Sequence, residues 1–475
     1  MLKLREYQTR PNRLADYLPW AMLAAPGIVL NKDGSFQRTI SYRGPDQMSA
    51  GEEELVAFTA RVNNVLRRFG SGWALFFESA RVSASDYPAS DFPNAAAFLV
   101  DEERRADFEA TGKRFESLYH LTFAWLPPSD RASRGEALFL KREEGPRAPS
   151  WRDHLDRFRL ETDRAIGLLA SLLPHCAALD DAETLAFLHG CISTRRYGVA
   201  VPATPIFLDA LLADSPLSGG LEPMLGDQHL RIVSVNGLPP ASEPGFLDEL
   251  NRLGFSYRWT SRFIALDKQA ATRELAKLRR QWFAKRKSIA AILKETLFNE
   301  QSVLLDADAN NKAADADAAL QELGADDVAF GYFSASVVVA DEEAATADAM
   351  AKEIERVITG RGFVAIRESV NAVDAWLGSL PGQLYANIRQ PLIHTLNLGH
   401  LAPLSSVWAG PSWNDHLAGP PLLLATTEET TPFRLSTHVG DVGHAIIVGP
   451  TGAGKSVLLA LMALQFQRYA GAQIF

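Results

Sequence analysis

A glycine-rich stretch near the C-terminal end of this 475-residue chain carries the residues best suited to chemistry. Residues 449–456 read Gly-Pro-Thr-Gly-Ala-Gly-Lys-Ser and fit the pattern G-x-x-x-x-G-K-[ST] of a phosphate-binding loop. Glycine lets the main chain approach a polyphosphate closely, so that backbone N–H groups surround the anion. The predicted nucleotide-binding residues are Gly449, Pro450, Thr451, Gly452, Ala453, Gly454, Lys455 and Ser456.

Two side chains of this loop have separate predicted roles. Lys455 is placed to reach the β- and γ-phosphates as a point charge, and the hydroxyl of Ser456 suits a Mg²⁺ ion held through the nucleotide. The alternative is a glycine-rich turn before a core helix, which has no need of the Lys-Ser pair. We therefore expect a nucleotide and Mg²⁺ here.

A phosphate loop needs a strand before it and a helix after it. Residues 445–448, Ala-Ile-Ile-Val, predict a short buried strand, and residues 457–466 are apolar enough for a helix. The N-terminus of that helix would face the anion. Residues 421–424 and 432–437 predict two strands that lead to the loop.

The composition is that of a soluble globular protein, with 47% hydrophobic and 22% charged residues, and the length suggests two or three domains. A net charge of −9 argues against a surface that binds nucleic acid throughout, but leaves a local basic patch possible. Only two cysteines, Cys176 and Cys191, fit a reducing cytosol. A zinc site formed by them with His175 and His189 is disfavoured by the helical periodicity of residues 181–193.

The remaining pattern predicts an α/β protein whose N-terminal region is α+β. Two β-α-β blocks are expected, at residues 28–82 and 328–368, and helices at residues 151–172 and 181–193 predict an inserted α-hairpin. The predicted domains are an N-terminal α+β lobe with the α-hairpin at 1–205, a second α+β lobe at 206–380, a linker at 381–420, and the beginning of a P-loop domain at 421–475.

A long amphipathic helix is predicted at residues 270–298, with a basic face from Arg273 to Lys294. Such a face can contact anionic lipid or the phosphates of DNA, although a solvated face opposite an apolar stripe is the commoner interpretation. No window approaches the roughly 20 apolar residues of a membrane helix, so any membrane association must be peripheral or through partners.

Asp341 and Glu342 end an apolar strand, as do the carboxylates that hold Mg²⁺ and orient water in P-loop ATPases. That strand follows the phosphate loop in such folds, whereas Asp341 precedes it. We therefore interpret Asp341 as the N-cap of the next helix, with acidic residues in its first turn.

A string of short motifs ahead of the loop carries a family resemblance. These are Leu380-Pro-Gly382, His400-Leu-Ala-Pro403, Trp408-x-Gly410, Thr431-Pro-Phe433 and His438-x-Gly-Asp-Val-Gly-His444. Together with the phosphate loop, and from about residue 328 onward, they resemble the CagE/TrbE/VirB ATPases of type IV secretion, most closely the TrbE conjugal-transfer group.

The resemblance implies a motor subunit that binds and hydrolyses ATP with Mg²⁺, energising pilus assembly and DNA transfer. It implies a cytoplasmic protein, peripheral at the inner membrane, that meets inner-membrane components of the secretion system and forms a homo-hexamer. The P-loop domain would be RecA-like and truncated, with its catalytic residues unknown and expected beyond Phe475, so the chain alone would be inactive. Alternatives are a DNA-translocating P-loop ATPase and a nucleotide-binding docking scaffold.

Overall fold

The structure is a computed structural model in which one wide β-sheet carries most of the secondary structure. It describes residues 13–46, 50–110, 112–128, 150–239, 242–285, 315, 318–386, 389, 391–427, 430–438 and 440–475.

The main sheet has thirteen strands. They are β1 (Trp20–Ala25), β2 (Ile28–Asn31), β3 (Phe36–Arg43), β4 (Trp73–Ser83), β5 (Phe115–Trp125), β6 (His175–Ala178), β7 (Leu217–Ser218), β8 (Met224–Leu225), β9 (Gln228–Gly237), β10 (Tyr257–Ala265), β11 (Phe330–Asp341), β12 (Val364–Arg367) and β13 (Leu392–His394). Their order is β1-β2-β3-β5-β4-β10-β11-β9-β8-β7, with β6 beside β3, β13 beside β11 and β12 beside β9. The strands β14 (Leu423–Thr426) and β15 (Pro432–Leu435) form a separate hairpin.

The helices are α1 (Leu14–Tyr17), α2 (Glu52–Leu66), α3 (Ala95–Ala110), α4 (Trp151–Ala170), α5 (Asp181–Ile192), α6 (Leu208–Leu212), α7 (Lys268–Lys285), α8 (Ala344–Gly360), α9 (Ala372–Gly378), α10 (Thr395–Leu401) and α11 (Lys455–Phe466). A 3-10 helix spans Asp248–Arg252. Some helices begin at clear sequence signals. For example, the side chain of Ser150 accepts a hydrogen bond from the backbone N–H of Asp153 in a capping box at the start of α4.

Helices cover both faces of the sheet. Val337 and Val338 are neighbours on β11 and therefore point to opposite faces. Val337 belongs to a hydrophobic cluster with residues of α2, α4, α8 and α10, while Val338 belongs to a second cluster with residues of α5, α6 and α9. Because both faces are covered, central strands such as β4 and β10 are buried along nearly their whole length.

Two split β-α-β units recur in the sheet. The strands β3 and β4, joined by α2, both run antiparallel to β5, which lies between them. The strands β11 and β12, joined by α8, likewise enclose β9. The predicted β-α-β blocks and their recurrence are confirmed, and since each strand pairing in the described sheet is antiparallel, the fold is mixed α/β with an antiparallel sheet.

Three local predictions are corrected. The predicted α-hairpin is wrong, because β6 lies between α4 and α5 and pairs with β3, and the two helices pack in different clusters. The helix predicted near residues 243–253 is limited to the 3-10 turn Asp248–Arg252. The long basic helix is described only as α7, so its predicted extension to residue 298 lies outside the described residues.

Strands from both predicted lobes, 1–205 and 206–380, contribute to the one sheet, and their boundary stays a prediction. Among the described residues, no helix combines the length and apolar character that crossing a bilayer requires.

Candidate nucleotide site

The predicted phosphate loop turns directly into a helix. The backbone of Gly452 has φ 84° and that of Gly454, the N-cap of α11, has φ 80°, a region that side chains with a Cβ rarely adopt. Nothing lies within 4 Å of a Cβ placed at either position. Backbone conformation, and not lack of space, is therefore what requires glycine here.

The cation of the loop folds back over it. Lys455 Nζ donates hydrogen bonds to the carbonyl oxygens of Gly449 and Pro450, each at 2.7 Å. These oxygens are at the exposed surface, where phosphate oxygens can replace them as acceptors. Ser456 is exposed in the first turn of α11. The structure thus brings the eight predicted residues together in one solvent-facing turn, and their binding of a nucleotide stays a prediction.

The strand predicted before the loop does not form. Residues 445–448 have no regular secondary structure, and Ile446 and Val448 are 87% and 83% exposed. A strand is stabilised by hydrogen bonds to a neighbour. In the part of the chain that the structure describes, no strand lies beside this segment, so its apolar pattern has no sheet to join.

The helix after the loop is held mainly at its C-terminal half. Leu461 and Phe466 pack against a cluster formed by Leu422, Leu423 and Tyr469 beside the β14–β15 hairpin. In the first turns, by contrast, Val457 is 73% and Leu459 is 60% exposed. The loop therefore lies at the less packed end of α11.

Polar contacts attach the hairpin to β5 and β4. Arg434 pairs with both carboxylate oxygens of Glu116, at 2.6 and 3.1 Å. The side chain of Arg81, buried in β4, donates to Thr430 Oγ1 at 2.7 Å. The backbone N–H of Phe115 donates to the Thr430 carbonyl at 2.9 Å. These contacts set the position of the hairpin on the sheet.

A buried ion pair that the sequence reasoning missed joins the end of α11 to α3. Arg468 Nη2 lies 2.8 Å from Asp101 Oδ1, and the two side chains are 2% and 1% exposed. The hydroxyl of Tyr87 donates to the same carboxylate oxygen at 2.8 Å. Asp101 directly follows the apolar run at residues 95–100, and an acid in that place was the available signal.

The motif Leu380-Pro-Gly382 is fixed by buried partners. Trp20 Nε1 donates to the Pro381 carbonyl at 2.8 Å. Gly382 has φ 83°, and a Cβ there would lie 2.0 Å from Gln37 Oε1. Arg262 donates to the carbonyls of Gln383 and Ala386, each at 2.9 Å, and burial lowers the pKa of its guanidinium to about 10. These contacts give the motif a packing role.

The later motifs fasten the predicted linker to the sheet in the same way. The Tyr42 hydroxyl donates to the Pro403 carbonyl at 2.7 Å, and the Arg43 guanidinium lies 4.0 Å from the ring centroid of Trp408. Gly410 has φ 89°, and a Cβ there would lie 2.2 Å from the Arg434 carbonyl oxygen. The residues that carry the family resemblance thus position the segment that leads to the phosphate loop.

A buried carboxylic acid lies under the predicted linker. Asp248 is 0% exposed and accepts a hydrogen bond from Ser405 Oγ through Oδ2. Its other oxygen has no hydrogen-bond partner among the described residues. Burial raises the pKa of Asp248 to about 8, so that the neutral acid predominates at pH 7.

Asp341 does not cap α8. The N-cap is Glu343, and Asp341 Oδ1 accepts from the Glu343 N–H at 2.9 Å in the turn before the helix. The cap prediction is wrong because β11 continues to Asp341, which pairs with His229 on β9. Asp341 therefore ends a sheet strand, whereas the loop precedes α11.

The described portion of the basic helix packs by an apolar face. Ala271 and Leu275 are buried in a cluster with Phe330, while Arg273 and Lys277 are exposed. Of the other predicted basic positions, the side chain of Lys285 and all of Arg286, Lys287 and Lys294 lie outside the described residues.

The histidines and cysteines considered as zinc ligands face different partners. His189 Nε2 lies 3.0 Å from Asp214 Oδ2, His175 Nε2 lies 3.2 Å from Ser41 Oγ, and the Cys191 thiol faces Glu78. Burial raises the pKa of the Cys176 thiol to about 11. Each group is thus directed to a local hydrogen bond or to the core.

Two segments of the chain match families of secretion proteins. Residues 27–133 match the N-terminal domain of the type IV secretion system ATPase VirB4/TrbE, and residues 272–389 match the CagE, TrbE, VirB family, a component of the type IV transporter system. Both ranges lie before the phosphate loop. The chain belongs to this VirB4/TrbE family of type IV secretion proteins.

Within the family, the chain is similar to conjugal transfer proteins. It is 36% identical over its whole length to the conjugal transfer protein TrbE of Rhizobium radiobacter, and spans 60% of that protein. It is 40% identical, over 62% of its length, to a probable conjugal transfer protein TrbE of Sinorhizobium fredii (strain NBRC 101917 / NGR234), covering 44% of that protein. A second probable conjugal transfer protein TrbE from the same strain is 33% identical over 30% of this chain, with 96% of that protein covered.

Proposed function

We propose that this protein binds ATP with Mg²⁺ at residues 449–456 and acts in its complete form as the ATP-hydrolysing motor of a conjugative type IV secretion system. The observation that carries the proposal is the turn formed by Gly452, Gly454 and Lys455 at the head of α11. The backbone N–H groups of such a turn and the helix N-terminus favour an anion. In this proposal, Lys455 neutralises the phosphates and Ser456 holds Mg²⁺ through the nucleotide.

The wider role follows from the relatives. A conjugal transfer protein of this family supports a role in energising pilus assembly and DNA transfer, with inner-membrane components of the system as partners. We propose that residues 421–475 begin a RecA-like domain, that the protein is a homo-hexamer, and that it is cytoplasmic and peripheral at the inner membrane. The catalytic carboxylates would be supplied from beyond Phe475.

The test is a titration with a fluorescent ATP analogue and Mg²⁺, followed by plasmid transfer with the complete protein. Lys455→Ala should abolish nucleotide-dependent transfer while leaving the protein folded, since Nζ contacts only loop carbonyls. Lys352→Ala removes an exposed lysine on α8 and is the matched control. Transfer at the unmodified level by Lys455→Ala would refute the proposal.

A DNA-translocating ATPase is the second candidate, supported by the exposed Arg273 and Lys277 on α7. It predicts that DNA accelerates phosphate release by the complete protein. An assembly motor predicts turnover that does not respond to DNA.

A further inference from the structure

The phosphate loop and the N-terminal half of the chain are joined through one helix. The helix α11 has 12 residues, which makes it about 18 Å long at the usual rise of about 1.5 Å per residue. Gly454 of the loop caps its N-terminal end, and Arg468 lies just past its C-terminal end. A helix moves as a rigid element, so a displacement at one end is transmitted to the other.

The C-terminal end is held by a buried polar group that we call the clamp, formed by Asp101, Tyr87 and Arg468. Arg468 contacts Asp101 at 2.8 Å and also donates to the Pro421 carbonyl at 3.0 Å and to Gln465 Oε1. Tyr87 donates to Asp101, and the carboxylate thus receives two donors. A buried charged pair with supporting hydrogen bonds specifies one geometry, because other arrangements leave a charge unpaired.

Apolar packing beside the clamp is incomplete. A cleft of about 460 Å³ lies between α3 and the β14–β15 hairpin, lined among others by Val100, Phe108, Leu424 and Leu461. Arg104 bridges it by donating to the Leu424 carbonyl at 2.5 Å. With space left at this junction, polar contacts and not close packing decide how α11 sits on α3.

We propose that the clamp positions the phosphate loop, so that nucleotide affinity depends on the seating of α11 against α3 of the N-terminal half. Asp101 and Arg468 are positioning residues in this proposal, since they lie at the far end of the helix from the loop. The inference rests on the proposed nucleotide binding by residues 449–456. By linkage, a bound nucleotide must in turn stabilise the contact with α3.

The experiment uses the whole 475-residue chain, a fluorescent ATP analogue and Mg²⁺. Asp101→Asn should weaken binding about tenfold, a usual size for coupling between two sites, and Asp101→Glu, which keeps the charge, should recover some of the loss. Glu116→Gln is the matched control, because it breaks the Arg434 pair at the same junction but away from α11, and should leave affinity unchanged. Thermal unfolding without nucleotide reports whether each variant is folded.

Hydrogen exchange on the unmodified chain gives a second readout that needs no clamp variant. Saturating nucleotide should slow amide exchange in α3, and Lys455→Ala should remove that effect. No binding by the unmodified chain would refute the proposed function, and the inference with it. Binding that is equal in Asp101→Asn and the unmodified chain, or protection of the loop without protection of α3, would overturn the inference and leave the proposed function standing.

Discussion

The buried acid Asp248 makes a strong prediction about the pH dependence of stability. Its pKa is about 8 in the folded protein, whereas an aspartic acid in an unfolded chain has a pKa of about 3.9. Because folding raises the pKa, the stability that this group contributes is complete below pH about 4 and is lost as the pH rises to about 8.

The size of the effect follows from the shift. Each pKa unit corresponds to about 1.4 kcal/mol, so the free energy of unfolding should fall by about 2 to 3 kcal/mol between pH 5 and pH 7 through this group. Asp248→Asn cannot ionise, keeps nearly the same shape, and still offers an oxygen to Ser405 Oγ. Relative to Asp248→Asn, the unmodified chain should therefore become less stable with rising pH over this range.

The assay is urea unfolding of both proteins at several pH values from 5 to 8, with the difference between their free energies of unfolding plotted against pH. Taking the difference cancels the titration of groups that the two proteins share. Asp227→Asn, which removes an exposed carboxylate, is the matched control. A difference that does not change with pH would show that Asp248 is not held as a buried neutral acid, and the burial argument would be wrong.

Three other predictions can be tested separately. Gly382→Ala should lower the free energy of unfolding by more than Gly34→Ala, because both glycines have positive φ, costing about 1 to 2 kcal/mol, but only at Gly382 does the new Cβ meet a neighbour, 2.0 Å from Gln37 Oε1; equal thermal shifts would contradict this. If the basic helix contacts phosphates, charge reversal at Arg279, Arg280, Lys285, Arg286 and Lys287 should weaken binding to anionic vesicles or DNA, and binding by the unmodified chain should fall steeply with salt. Salt-independent binding, or none, would favour a solvated face. The chain alone should bind Mg-nucleotide weakly and release almost no phosphate; robust turnover abolished by Lys455→Ala would show that the catalytic carboxylates lie within residues 1–475.

The sequence predicted best where a local pattern decides the structure. The apolar strands β4 and β10, the helix α4 with its cap at Ser150, and the glycine turn before α11 all follow from periodicity, capping or backbone conformation. The recurrence of β-α-β units was visible for the same reason.

Other features depend on partners distant in sequence, which a local pattern does not contain. The pair Arg468–Asp101 joins residues 367 positions apart. Residues 445–448 have the composition of a strand but no described strand beside them, and β6 separates two helices that looked like a hairpin because its register on β3 is a long-range property. Asp341 was misassigned because the end of β11 is set by pairing with β9.

The interleaving of the sheet has a consequence for synthesis on the ribosome. The strand β4 pairs on one side with β5, which soon follows, but its other neighbour, β10, begins about 170 residues later, or about 10 to 35 s at ordinary rates of translation. During that interval a long, apolar strand edge is open to other nascent chains. The buried charges of Glu78 and Arg81 on β4 make wrong pairing at this edge costly, since both must find their own partners, Arg258 and the Leu253 carbonyl, to be buried. In this way the same residues that fix the mature sheet also protect it while it is half made.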